Sequence, residues 1–122
     1  MKSFSFKVTR KIINSFLFLM LILQASYGYS ATGERRGTIE KIQTESSTRV
    51  GYENLMYINQ SLPWTGTVDC TSQSWAYFNA KDNPHFVATV LTARVTGTPL
   101  AIVVDDSLPR INGFCQIINV DF

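Results

Sequence analysis

Four side chains have the type and spacing to hold a ligand: Trp64, Trp75, Tyr77 and Asn79. On a strand, Trp75, Tyr77 and Asn79 share one face, because side chains alternate with a period of two. Trp64 lies in the turn-rich stretch QSLPWTG, residues 60–66. Flat aromatic faces beside an amide can stack on a sugar ring or another planar ligand while the amide fixes its orientation. The competing reading is packing, since a small β domain needs bulky side chains at its ends or against a neighbouring subunit. Catalytic chemistry is poorly supplied. The single histidine, His85, falls on the polar side of an expected helix, as a solvated imidazole would. Asp105 and Asp106 are adjacent on an expected strand and so point to opposite faces, a poor geometry for an acid–base pair. There is no phosphate-cradling glycine loop, serine-nucleophile motif or metal-spaced His/Cys cluster. An enzyme is therefore not expected, and neither is a cofactor or a metal.

The two cysteines, Cys70 and Cys115, read as a disulfide once the N-terminus is considered. Lys2, Lys7, Arg10 and Lys11 form a basic segment, residues 12–23 an apolar one, and small residues follow at Ser26, Gly28 and Ser30. This is the pattern of a signal peptide over residues 1–30, cleaved after Gly28 or Ser30. The apolar run is shorter than the roughly 20 residues needed to span a bilayer, which argues against an uncleaved anchor. Export to an oxidising compartment, periplasmic or extracellular, favours a cystine over a lone thiol. Closing a loop of about 45 residues contributes roughly 4 kcal/mol in the chain-entropy model. That matters in a mature chain of about 92 residues, where a hydrophobic core alone is marginal. Cleavage also reverses the charge. The whole chain carries +2, but from residue 31 onward seven Lys and Arg face nine Asp and Glu, a net of −2. No basic stripe remains for nucleic acid or an anionic membrane surface.

The elements that must position the aromatics follow from periodicity. Residues 82–106, DNPHFVATVLTARVTGTPLAIVVDD, read as a capped helix, a glycine stop and a buried strand. Asp82 or Asn83 can cap, Pro84 suits the first helical position, and Gly97 and Pro99 end the helix. Phe86, Val87, Val90 and Leu91 form its apolar face. His85, Thr89, Thr92 and Thr96 lie opposite, on a side also carrying Ala88 and Ala93, small enough to approach another helix closely. Residues 100–104 are a continuous apolar run, expected as a strand covered on both faces. Earlier in the chain, residues 31–36 read as a frayed polar tail, 37–43 as a strand and 55–58 as a second strand. Residues 67–70 and 74–79 read as one bulged strand or two short ones. Asn112-Gly113 marks a tight turn before a last strand over residues 114–122. Three or four strands, a helix and two strands is the order of a small five-stranded Greek-key barrel of the OB type (β-β-β-α-β-β). The alternative is an α+β sheet with one covering helix.

Gly37-x-Ile39-x-x-Ile42, Cys70, Trp75, Ala93, Thr96-Gly97-x-Pro99 and Cys115-x-Ile117 resemble a group of small exported proteobacterial proteins of largely unassigned function. That group in turn resembles the binding (B) subunits of pentameric bacterial toxins of the subtilase-cytotoxin and typhoid-toxin type. The pattern shared with those subunits is Trp75, a helix, then Thr96-Gly97 leading into an apolar strand. The resemblance implies an OB-like barrel with one helix before the fourth strand, a signal peptide, a disulfide, pentameric assembly and binding to sialylated glycans. The toxin subunits carry further C-terminal cysteines and aromatics that this chain lacks, and no sugar-contacting residue is carried over.

The expectation is thus a single OB-like domain over residues 31–122. It would act as an exported, non-enzymatic binding protein that oligomerises and recognises a glycan or another cell-surface ligand through Trp64, Trp75, Tyr77 and Asn79. No membrane span is expected after signal cleavage. The alternative is a monomeric periplasmic protein with a structural or protein-interaction role.

Overall fold

The computed structural model describes residues 31–122, so the expected signal peptide lies outside the described residues. The domain is mainly β, with six strands in one mixed sheet and one helix. Strands β1 (Thr32–Gly37), β2 (Lys41–Thr44), β3 (Leu55–Asn59) and β4 (Trp75–Asn79) precede helix α1 (Pro84–Thr96), and β5 (Leu100–Asp105) and β6 (Cys115–Asp121) follow it. The hydrogen-bonded order is β1-β5-β6-β4-β3-β2, antiparallel except for a short parallel pairing of β4 with β6. The two edge strands, β1 and β2, are therefore consecutive in the chain, joined by residues 38–40. So short a link forces the sheet to curl so that one end of each edge strand lies near the other. Counted as one bent strand, β1 and β2 give the five-stranded β-β-β-α-β-β connectivity of the OB type.

The break in that first strand explains a difference from expectation. An uninterrupted strand over residues 37–43 would put Ile39 and Ile42 on opposite faces. The kink at 38–40 shifts the phase, so Ile39 is buried and Ile42 packs against the same core, while Lys41 is exposed. Residues 31–36 are likewise no frayed tail, because all but Ala31 belong to β1. This strand is hard to read because its two inward residues are Gly33 and Arg35. A Cβ at Gly33 would lie 2.4 Å from Val68 Cγ1, so only glycine lets the 62–70 loop lie against β1.

Arg35 is 3 % exposed and has no carboxylate ion-pair partner among the described residues, yet it is fully engaged. Its Nε donates to Gln60 Oε1, Nη1 to the Leu62 and Gln73 carbonyls and Nη2 to the Ser74 carbonyl, each at 2.8 Å. The guanidinium also stacks 3.7 Å from the centre of the Trp64 ring. Gln60, fully buried, donates in turn to the Gly37 and Leu100 carbonyls. The pair thus ties the ends of β1 and β3, the start of β5 and the long 60–74 loop at one end of the barrel. Burial lowers the Arg35 pKa to about 10, so it stays charged at neutral pH.

The core lies inside the curl. Met56 and Ile58 of β3, Ala76 and Phe78 of β4, Leu100, Ile102 and Val104 of β5 and Ile117 of β6 form it with Phe86, Val90 and Ala93 of α1. Phe78, on the same face of β4 as Ala76, is fully buried there, edge-on to Phe86 at 5.6 Å. The helix sits close to its expected place, with Pro84 at its start and Gly97 in the left-handed conformation at its end. Two details differ. Asn83 occupies the cap position without capping through its side chain, which instead donates to the Asn79 carbonyl. The buried stripe is Phe86, Val90 and Ala93, leaving Leu91 46 % exposed, so Ala93 belongs to the core and not to the small-residue face. Residues 67–70 form no strand; they lead to Cys70, whose disulfide to Cys115 pins the loop to the start of β6. No helix among the described residues is long and apolar enough to cross a membrane.

Candidate functional site

Residues facing away from the core on β3 and β4 form a second apolar cluster on the outer surface of the sheet. Leu55, Tyr57 and Tyr77 are buried there beneath Tyr52, Trp75, Ile111 and Phe114. The strand register builds it in rows, with Lys41, Asn59 and Trp75 aligned across β2, β3 and β4, and Gln43, Tyr57 and Tyr77 aligned in the next row. Two loops wall it. The β2–β3 loop brings Glu45, Arg49 and Tyr52, and the β5–β6 loop brings Asn112 and Phe114. Asn112 and Gly113 have φ values of 54° and 79°, as the tight turn requires, and Ile111 bridges Phe114 across it. Gly113 is needed twice over, since a Cβ there would also approach Thr71 Cβ to 2.9 Å.

Between these loops lies a cavity of about 250 Å³ lined by Gln43, Glu45, Arg49, Tyr57, Trp75, Asn112 and Phe114. Its floor is aromatic. Phe114 stands edge-on to Tyr57 at 5.6 Å and stacks nearly parallel to Trp75 at 6.2 Å. Its rim is polar, and the two rim charges satisfy each other, Arg49 Nη1 lying 2.9 Å from Glu45 Oε1. Arg49 also stacks over Tyr52, 4.0 Å from the ring centre.

The Tyr57 hydroxyl is the anomaly. Tyr57 is only 2 % exposed, and its Oη has no hydrogen-bond partner among the described residues. A buried hydroxyl without a partner costs about 1–3 kcal/mol, so such groups are rare in native domains. Burial, reinforced by the Glu45 carboxylate and partly offset by Arg49, raises its pKa above the usual phenol value. The hydroxyl is therefore a protonated donor, covered beneath the cavity that its residue lines. Neighbouring Tyr77 differs, because its hydroxyl donates to the Pro109 carbonyl. Tyr77 thereby anchors the loop that carries Asn112 and Phe114.

The four residues singled out by sequence are only partly brought together. Trp75 lines the cavity, and Tyr77 supports it from beneath. Asn79 shares their face, but its carboxamide oxygen accepts from the Lys81 and Asp82 amides, closing the turn into α1. Trp64 lies on the opposite side, buried in the core with its indole N–H donating to the Ser72 carbonyl at 3.2 Å. Sequence reasoning missed Tyr57, Phe114, Gln43, Glu45, Arg49 and Asn112. Strand alternation from Leu55 would have placed Tyr57 outward, and the Asn112-Gly113 turn would have placed Phe114 beside Trp75. His85 is exposed on the first turn of α1, away from the cavity. Among the described residues, no three His, Cys, Asp or Glu side chains come together as a metal site. Comparison with protein-family models, with curated proteins and with solved structures finds no match.

Proposed function

We propose that this chain is an exported, non-enzymatic binding protein that recognises a glycan at the outer-face cavity between the β2–β3 and β5–β6 loops. The observation that carries this reading is the Tyr57 hydroxyl, buried without a protein partner on an aromatic floor. Tyr57 lines the cavity but its Oη is covered, so a ligand hydroxyl stacked on Trp75 would satisfy it once the side chains over it shift. The location supports the reading by analogy of fold, since OB barrels bind oligosaccharides and oligonucleotides on the same strand face and loop pair. The net charge of −2 from residue 31 onward favours the sugar over the nucleic acid. The disulfide is compatible with export. A cavity of this size gives weak monovalent affinity, and assembly into a homo-oligomer, five copies on the toxin-subunit resemblance, would raise it by multivalency.

The test is a glycan array probed with oxidised residues 31–122, native and Trp75→Ala. Native protein should bind a set of glycans sharing one terminal sugar. The variant should keep its circular dichroism spectrum and thermal transition while losing at least about tenfold in binding, a loss of the size expected for a stacking contact. A variant that unfolds would make Trp75 a packing residue, and a folded variant that binds undiminished would remove the cavity from the reading.

A further inference from the structure

The cavity's chemistry specifies its ligand more closely than "a glycan", a specification that rests on the glycan-binding reading. At about 250 Å³ the cavity lies below the roughly 300–1,000 Å³ typical of drug-sized ligand sites, which suits a single ring. Three residues of the lining have no side-chain hydrogen bond to another described residue: Gln43 and Asn112, whose carboxamides are exposed, and Tyr57, whose covered hydroxyl a ligand reaches once the side chains over it shift. A phenol and two amides can both donate and accept, matching sugar hydroxyls, which do the same. An apolar planar ring would leave the Tyr57 hydroxyl unpartnered.

The charges decide the rest. The only ionic groups in the lining, Glu45 and Arg49, are already paired. The Glu45 side chain is the more buried, 14 % exposed against 52 % for Arg49, so the carboxylate faces inward and the guanidinium outward toward Tyr52 and solvent. Lys41 lies outside the lining, exposed to water, with Nζ 5.9 Å from the Trp75 ring centre. A carboxylate-bearing ring would be desolvated beside Glu45 with no unpaired cation in the lining to meet it.

We infer that the cavity takes a neutral pyranose ring, stacked on Trp75 and hydrogen-bonded to Tyr57, Gln43 and Asn112, and discriminates against the acidic counterpart of the same ring. This preference is opposite to that of the sialic-acid-binding toxin subunits the sequence resembles.

The experiment uses matched pairs that differ only at C6: methyl β-galactoside with methyl β-galacturonide, and methyl β-glucoside with methyl β-glucuronide. Binding to oxidised residues 31–122 is followed by heteronuclear NMR titration, with a methyl sialoside as a further acidic probe. The neutral member of at least one pair should bind about tenfold or more tightly than its acid, the ratio expected when an unpaired charge is desolvated. Glu45→Gln, which frees Arg49, should move that ratio about fivefold toward the acid. An acid that binds as tightly as its neutral partner, or a sialoside that binds best, overturns this inference while leaving glycan binding in place if Trp75→Ala abolishes it. Failure of every probe to bind overturns the glycan reading itself, and the inference with it.

Discussion

A single hydroxyl decides how the outer face of this barrel is read. If Tyr57 were only a packing residue, phenylalanine would serve better, since the same ring would bury no unsatisfied group. Tyr57→Phe should therefore leave stability unchanged or raise it by about 1 kcal/mol in urea unfolding, while weakening sugar binding. The variant should also differ at alkaline pH. The Tyr57 pKa in the folded state lies above its unfolded value near 10. Its stabilisation is accordingly complete below about pH 10 and lost as pH rises through the folded value, and the same sign holds for Tyr77. Tyr57→Phe should thus flatten, without abolishing, the fall in stability above about pH 10. Arg35 is the opposite kind of residue, buried and saturated. Arg35→Ala would orphan the Leu62, Gln73 and Ser74 carbonyls and empty the space beside Trp64, at a cost of about 3–5 kcal/mol. Arg35→Lys should recover little of this by thermal unfolding, because an ammonium cannot reproduce the planar fork. Neither role is visible in residue type alone. A tyrosine in an apolar run and an arginine in a polar tail become unusual only once their partners, or the lack of them, are in place.

At the scale of elements, the site depends on loops held by conformations that few residues adopt. Gly97 and Gly113 both have positive φ, but a Cβ at Gly97 meets open space whereas one at Gly113 meets Thr71. Gly97→Ala should cost about 1 kcal/mol of stability, for its left-handed backbone alone. Gly113→Ala should cost more and also weaken binding, because it displaces Asn112 and Phe114. Comparing the two by unfolding and by titration separates a helix stop from a loop that shapes the cavity. The helix, the β5 strand and the Asn112-Gly113 turn were legible in advance because caps, glycines and apolar periodicity are local signals. The first strand was less so. Its inward residues are Gly33, Arg35, Ile39 and Ile42, a pattern that makes sense only when the kink at 38–40 and the loop packed over Gly33 are known. The β3 strand was found, but the outward placement of Tyr57 gained meaning only from Phe114, 57 residues later in the chain.

At the scale of the whole molecule, the two edges of the open sheet are tied by connectivity, with β1 and β2 as successive parts of one segment and Gln60 bridging the ends of β1 and β5. The disulfide fixes the remaining long loop to β6. These constraints leave the interior to packing and set the aromatic cavity on the outside, where a rigid sheet can hold Tyr57 and Trp75 while two loops complete the rim. The molecule has two tryptophans, one on each side of that wall. Trp64 faces inward with its indole N–H bonded to the Ser72 carbonyl, and Trp75 lines the cavity. Their two indole N–H resonances therefore report separately on the core and the candidate site. The most direct measurement is the pair of indole shifts during titration with the neutral methyl hexosides into the tens of millimolar. The account predicts a saturable shift of Trp75 with Trp64 unmoved. Two stationary indoles across all the sugars, or a shift confined to Trp64, would contradict it.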